Sequence, residues 1–135
     1  MHPNADSLDR TRVIIFKLFA DGLSAPDTIA PLKDAILGLV RAEGTPTMAA
    51  VARLPGASGT KSLVVTGKNI VLWGAFSWDA ITAITELQIE GLVRLQPVHP
   101  LVYLAEGIAL RMPLAKSARA YRDAHWLPTV LVAGR

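Results

Sequence analysis

Residues 77–92, SWDAITAITELQIEGL, constrain the fold of this chain more than any other segment. Ser77 stands where a helix N-cap is favoured, and Gly91 stands where a helix ends, because glycine readily adopts the left-handed conformation of a C-terminal cap. Between them, Ile81, Ile84 and Leu87 recur at helical spacing. The pattern predicts a helix over residues 78–90 with a broad buried face, followed at once by a strand in LVRLQPV.

Helices are also predicted before this segment. Residues 8–20, LDRTRVIIFKLFA, suit a short helix that is buried on several sides, because few of its positions are polar. A second helix is predicted to begin near Ser24 or Ala30 and to run to about Arg41. A third, short helix is expected in TPTMAAVARL, with Thr47 as its N-cap.

The remaining segments alternate between turns and short apolar runs. PGASGTKS is predicted to be a mobile loop, and LVVTGKNIVLW predicts two strands joined by a tight turn at residues 66–69. Downstream of the 78–90 helix, LVRLQPV and LVYLAEGIALRM are interpreted as two strands of a hairpin. LAKSARAYRDAHW is then predicted to be a last helix, and LPTVLVA a final strand.

This order, in which AITELQIEGLVRL is followed by a hairpin, resembles the winged helix-turn-helix superfamily over roughly residues 30–112. The resemblance implies an α+β fold with a winged helix-like core, to which this chain adds an extra β-hairpin. The predicted organisation is a single domain, 1–135, with an N-terminal helix over 8–20. Its C-terminal extension, 113–135, would contain a helix and a strand. The resemblance also implies double-stranded DNA as the partner and a homodimer formed through the terminal elements.

Composition restricts the class of protein further. The chain has 135 residues, of which 51% are hydrophobic, so it holds enough apolar material for a core without a disulfide or a metal. It has no cysteine, and its polar start lacks the apolar core of a signal peptide. The runs VIIF and NIVLWGAF are too short to cross a bilayer. The sequence therefore predicts a cytoplasmic protein with no membrane span.

The polar side of the predicted 78–90 helix argues against the usual way in which a winged helix reads DNA. Its acidic residues Asp79, Glu86 and Glu90 occupy the arc that the apolar residues leave, and this arc has no lysine or arginine. Phosphates on both sides of the major groove would repel three carboxylates. One alternative is that these carboxylates dock a protein partner, and another is that they are merely solvated.

Basic residues elsewhere supply the alternative DNA contacts. In the predicted last helix, Lys116, Arg119 and Arg122 follow one another at i,i+3 spacing, which would place them in one stripe. Arg94 and Arg111 lie in or near the predicted wing, and Lys61 in the predicted loop. The DNA hypothesis predicts that Lys116, Arg119, Arg122, Arg111 and Arg94 lie on one face and contact phosphates, and it adds Lys61 as a further phosphate contact from the loop. The competing interpretation is ordinary solvated charge.

No motif for catalysis or for a cofactor is present. The three histidines, His2, His99 and His125, lack the spacing of metal ligands. LPGASGTKS fails the phosphate-loop pattern because Thr60 separates Gly59 from Lys61. The prediction is a protein that is not an enzyme and that uses no cofactor. It is either a DNA-binding regulator or a protein-interaction module with the same core.

Overall fold

The fold is described by a computed structural model over residues 26–108, 110–117 and 119–134. The predicted N-terminal helix over residues 8–20, together with the Ser24 cap, lies outside these described residues. Within them the chain combines helices with two small sheets, so the predicted α+β class is confirmed.

The first helix, α1, spans Pro26–Glu43, and the short helix α2 spans Met48–Ala52. The predicted N-cap of α2 is confirmed, because the Thr47 side chain accepts a hydrogen bond from the Ala50 N–H at 3.1 Å. The Thr47 backbone also forms an antiparallel bridge with Val130 near the end of the chain. This short connection between the two helices is therefore tied to the C-terminal strand.

The predicted hairpin forms between β1, Ser58–Val65, and β2, Ile70–Phe76. The expectation of a mobile loop over PGASGTKS was wrong for Ser58–Ser62, which belong to β1. Ser58 and Lys61 both align with Phe76, so β1 bulges between them. A Cβ placed on Gly59, inside this bulge, would lie 2.7 Å from the Phe76 carbonyl oxygen. Only glycine fits this close backbone approach.

The central helix, α3, spans Trp78–Ile89, as the sequence predicts. The Ser77 side chain accepts from the Ala80 N–H at 3.1 Å and caps its start. Gly91 has a φ of 76°, and the Leu92 N–H bonds the Leu87 carbonyl oxygen at 2.9 Å. That bond is the long one of a Schellman cap. Seven of the twelve residues of α3 are buried, so its packing against α1 and the sheets stabilises the whole core.

Strand β3, Val93–Pro97, also follows α3 as predicted, but its partner is not the next segment. It pairs antiparallel with β5, Thr129–Ala133. The prediction of strand structure in LVYLAEGIALRM was wrong, because Leu101–Leu104 form the short helix α4 and the described residues from 105 to 112 form no strand. The His99 imidazole accepts the Leu101 N–H at 3.1 Å and so starts a turn rather than a strand. The C-terminal strand therefore takes the place of the predicted wing strand and belongs to the core.

The predicted last helix over LAKSARAYRDAHW is absent from the described residues of that segment. Leu114 instead forms a parallel bridge with Trp126, and the Trp126 N–H bonds the Pro113 carbonyl oxygen at 2.8 Å. His125–Trp126 form β4, which lies parallel to β2. These sheet-type bonds hold both ends of the segment, and tertiary pairing overrides the helix propensity of its alanines, lysine and arginines.

Tyr103 joins the two sheets. Its ring packs against Trp73 of the hairpin sheet and edge-on against Trp126, with ring centroids 5.8 and 5.1 Å away. Its hydroxyl donates to the Thr129 carbonyl oxygen at 2.5 Å and accepts the Met48 N–H at 2.7 Å. None of the helices in residues 26–108, 110–117 and 119–134 is long and apolar enough to cross a membrane.

Candidate nucleic-acid interface

The tip of the β1–β2 hairpin is bonded to the chain that precedes β4. Asn69 has a φ of 55°, a conformation that asparagine tolerates better than most residues. Its side-chain Nδ2 donates to the carbonyl oxygens of Tyr121 and Arg122, both at 2.9 Å. The Tyr121 N–H bonds the Lys68 carbonyl oxygen at 2.9 Å, and the His125 N–H bonds that of Asn69 at 2.8 Å. Four bonds therefore fix residues 121–125 against the turn.

Tyr121 organises the side chains around this contact. Its ring stacks on His125 with centroids 3.9 Å apart and an interplanar angle of 18°. The Arg119 guanidinium lies 4.5 Å from the centre of the same ring. The Tyr121 hydroxyl accepts the N–H groups of Lys116 at 2.9 Å and Ser117 at 3.3 Å. One aromatic ring therefore connects the backbone at Lys116 with the charged group of Arg119.

The electrostatics of Tyr121 agree with this arrangement. Desolvation raises the pKa of its phenol, but the hydrogen bonds from the backbone at Ser117 and Lys116 lower it more, and the net shift is downward. The shift therefore reflects the hydrogen bonds that the phenol oxygen accepts from this backbone turn.

Three of the predicted site residues come together here. Lys116, Arg119 and Arg122 are exposed, and the Asn69 contact places Lys68 beside them. We call Lys68, Lys116, Arg119 and Arg122, arranged around Tyr121, the Tyr121 surface. The sequence predicted that Lys116, Arg119 and Arg122 lie close together, but it attributed this to a helix. The described residues of this segment form no helix.

No contact printed for the described residues links the other three predicted residues to Tyr121. Lys61 is on β1, roughly 15 Å of strand from the hairpin turn at the usual rise per residue, and its ammonium sits 5.3 Å from the Trp78 ring. Arg94 is on β3 opposite Val132, in the other sheet. Arg111 is exposed in the chain between α4 and β4. The structure therefore does not place all six predicted cations on one element or one sheet.

The charge of the Tyr121 surface follows from two acid-poor segments. Residues 45–78 contain no aspartate or glutamate, and residues 107–135 contain only Asp123. Lys68 comes from the first segment, and the three other cations come from the second. Among the described residues, the salt bridges involve Lys33 and Arg53, so the side chains of Lys116, Arg119 and Arg122 have no acidic partner there. The hairpin contact thus brings Lys68 close to Lys116, Arg119 and Arg122, three exposed cations without an acidic partner among the described residues.

Helix α3 offers little to a DNA groove. Thr82 and Thr85, two of its polar residues, are 0% exposed. Lys33 on α1 bonds Glu86 at 3.1 Å and Glu90 at 2.7 Å. Two of the three acidic residues predicted to face a partner, Glu86 and Glu90, are therefore paired with Lys33, and Asp79 is not part of these ion pairs. The polar arc of α3 is mostly buried or paired within the fold, which leaves no basic or amide-rich face for base contacts.

Sequence reasoning missed Asn69, Tyr121 and His125. The sequence identified Asn69 as a turn residue. It did not show that Asn69 bonds residues more than fifty positions away in the chain. Tyr121 lies within the predicted last helix, which the described residues of that segment do not form. Among the described residues, no group of three His, Cys, Asp or Glu side chains is arranged to hold a metal ion.

Comparison of the chain with protein-family models, with curated proteins and with solved structures found no match. Function is therefore inferred from the geometry and the charge of the Tyr121 surface.

Proposed function

We propose that this protein binds duplex DNA by contacting the phosphate backbone through the Tyr121 surface. The observation that carries the proposal is the bonding of Asn69 to Tyr121 and Arg122, which unites the cations of two acid-poor segments. Exposed arginines and lysines without acidic partners gain affinity by releasing the counterions condensed on DNA. Such contacts fix the position of a protein on DNA and carry no sequence information by themselves.

The order of elements supports the proposal by analogy. Helix α1, the bridged residue Thr47, α2, α3 and β3 stand in the order expected of a winged helix, with the β1–β2 hairpin between α2 and α3. The partner of β3 is β5, which follows only after α4 and β4, rather than an adjacent wing strand. Many winged-helix proteins bind DNA, and this is a fold-level analogy rather than evidence from the site. In a usual winged helix the helix equivalent to α3 would contact DNA. In this chain the Tyr121 surface makes the DNA contact instead, because most of α3 is buried.

The test is fluorescence anisotropy of a labelled duplex of random sequence at about 50 and about 200 mM salt. We expect binding that weakens steeply with salt. The double variant Arg119→Gln/Arg122→Gln should reduce the slope of log K against log salt by about 2, since each phosphate contact contributes about 0.9. Affinity at the lower salt should fall by an order of magnitude or more.

The matched control is Arg41→Gln/Arg53→Gln, which removes the same charge from exposed positions at the ends of α1 and α2. It should change the slope far less. Equal losses in the two double variants would mean that net charge, rather than the Tyr121 surface, produces the binding. Absence of salt-dependent binding in the parent protein would end the proposal.

A second candidate function is protein interaction, and a different surface favours it. Leu101 and Leu104 of α4 are 62% and 51% exposed, which is unusual for large apolar side chains on neighbouring turns. The acidic version of this hypothesis is weaker because Glu86 and Glu90 already bond Lys33. A partner that binds α4 should be lost in Leu101→Ser/Leu104→Ser while DNA affinity is retained.

The homodimer stays a prediction, but the predicted route through the terminal elements was wrong, because the described residues of the last segment form no helix and Val130 and Leu131 of β5 are buried in the core. Ile89 and Leu92, at the end of α3, are exposed apolar side chains that a second copy would bury. Light scattering across a range of protein concentrations measures the mass directly. A mass of one chain at all concentrations would contradict the dimer and leave the DNA proposal unaffected.

A further inference from the structure

A groove separate from the Tyr121 contact lies where the end of β3 faces the chain on both sides of β4. Its volume is about 480 Å³. That volume falls in the range in which proteins bind small organic ligands. Pro97, Pro100 and Pro128 form part of its wall, together with the apolar side chains of Leu114 and Leu127.

The backbone around this groove has few free donors. Proline contributes no N–H. The Val98 N–H bonds the Pro128 carbonyl oxygen at 2.9 Å, and the Ala115 N–H bonds that of Trp126 at 2.7 Å. The Leu127 N–H bonds the carbonyl oxygen of Val71 in β2 at 3.0 Å. A ligand in the groove would therefore meet an apolar surface with most backbone N–H groups already used.

Two side chains supply the polar contacts. Lys116 and His99 are the lining residues with polar side chains, and both are exposed. The His99 Nδ1 accepts the Leu101 N–H at 3.1 Å, so in the neutral ring the proton is on Nε2. His99 thus offers a donor, and the Lys116 ammonium offers a positive charge. No lining residue is acidic.

We propose that this groove binds a small organic carboxylate whose apolar body lies on the proline and leucine wall and whose carboxylate meets Lys116 and His99. Lys116 and His99 favour a ligand with a negative charge. The proline and leucine wall favours a ligand whose apolar part has one or two rings, or an alkyl chain of similar size. The proposal does not depend on DNA binding, because its ligand, its residues and its measurement differ from those of the Tyr121 surface in all but Lys116.

The test is a titration of ¹⁵N-labelled protein with 2-naphthoate, followed by NMR. We expect saturable shifts of the amide signals of Leu114, Ala115, Lys116 and Leu127, with a dissociation constant of about 1 mM or lower. The neutral isostere 2-naphthamide should bind at least several-fold more weakly. Lys116→Met should weaken the binding of the acid to the level of the amide and leave the binding of the amide unchanged.

Arg41→Met, which removes an exposed cation at the far end of α1, should leave both affinities unchanged. Leu114→Asp places a negative charge at an exposed lining position and should abolish binding of the acid through charge repulsion. This variant tests the site independently if Lys116→Met disturbs the fold. Equal binding of acid and amide, or no effect of either variant, would overturn the proposal. Filling of the groove by a second copy would also overturn it, and this would appear as shifts of the Leu114 and Leu127 amide signals with protein concentration in the absence of ligand.

Discussion

Asn69 and Arg122 are 53 positions apart in the chain, and the Asn69 side chain donates to the Arg122 carbonyl oxygen at 2.9 Å. The same amide group donates to Tyr121, so a single turn residue holds two successive carbonyls of the distant segment. Because these bonds run from a side chain to the backbone, they hold the path of residues 119–125 whatever their charged side chains do. The positions of Arg119 and Arg122 therefore depend on an uncharged residue in a hairpin turn.

Replacing Asn69 with glycine tests this dependence. Asn69→Gly keeps the positive φ of the turn and removes both side-chain bonds. We expect the free energy of unfolding to fall by about 1–2 kcal/mol, as for two partly exposed hydrogen bonds. Hydrogen exchange at the Tyr121 amide should accelerate, and DNA affinity should fall.

The control for this change is Thr66→Ala, at an exposed position in the same turn. It should alter the free energy of unfolding by no more than about 0.5 kcal/mol. Unchanged protection of the Tyr121 amide in Asn69→Gly would show that the backbone bonds alone hold the segment.

Tyr103→Phe tests the junction between the sheets. The variant leaves the Met48 N–H and the Thr129 carbonyl oxygen buried without their partner. We expect a loss of about 2–4 kcal/mol in the free energy of unfolding, because each orphaned group costs its desolvation energy. Denaturant unfolding of the parent protein and the variant measures the difference.

The same residue gives a pH dependence with a defined sign. Burial raises the pKa of the Tyr103 phenol well above its ordinary value of 10.0. The folded state therefore holds the proton more tightly than the unfolded state, and the stabilisation is complete below pH 10 and is lost as the pH rises above it. The slope should be about 1.4 kcal/mol per pH unit for this one group. Denaturant unfolding measured across the alkaline range should show a steeper loss in the parent protein and in Tyr121→Phe than in Tyr103→Phe, where the loss from Lys33 remains. Equal slopes in all three proteins would assign the loss to other groups.

Gly59→Ala tests the bulge in β1. A Cβ at this position would lie 2.8 Å from the Ser77 Cα as well as 2.7 Å from the Phe76 carbonyl oxygen, so the backbone would have to move. We expect destabilisation by about 1–3 kcal/mol in thermal or denaturant unfolding. Gly74→Ala in β2 is the matched control, because its nearest neighbour would be Ser62 Oγ at 3.8 Å. That variant should be neutral or slightly stabilising.

Lys33 links α1 to the end of α3 and allows a double-mutant cycle. Burial lowers the pKa of Lys33, but its bonds to Glu90 and Glu86 raise it more, and the net shift is upward. The ion pair therefore contributes stability below pH 10.5 that is lost as the pH rises through the shifted value. A cycle of Lys33→Met with Glu90→Gln should give a coupling of about 0.5–1 kcal/mol, reduced by salt, since Glu90 is partly exposed. A coupling of zero at low salt would mean that the two solvated groups do not stabilise each other.

The sequence by itself determined the helix caps, helix ends and tight turns, because each of these depends on a few neighbouring residues. Ser77 and Thr47 act as N-caps, Gly91 ends α3, and the turn at residues 66–69 joins two strands, because each depends on neighbours within a few positions. The apolar spacing of α3 likewise identified the helix around which the core is built.

Tertiary structure alone decided which segments pair. Residues 114–126 have the composition of a helix, but backbone bonds to β2 and to the Asn69 turn hold them in another path. Residues 101–104 have the composition of a strand, but β5 occupies the edge of β3 that they were predicted to fill. Strand pairing and the meeting of distant charges depend on contacts between residues far apart in the chain, and no local propensity encodes them. The Tyr121 surface is therefore a product of the fold, assembled from cations that the sequence shows only as scattered.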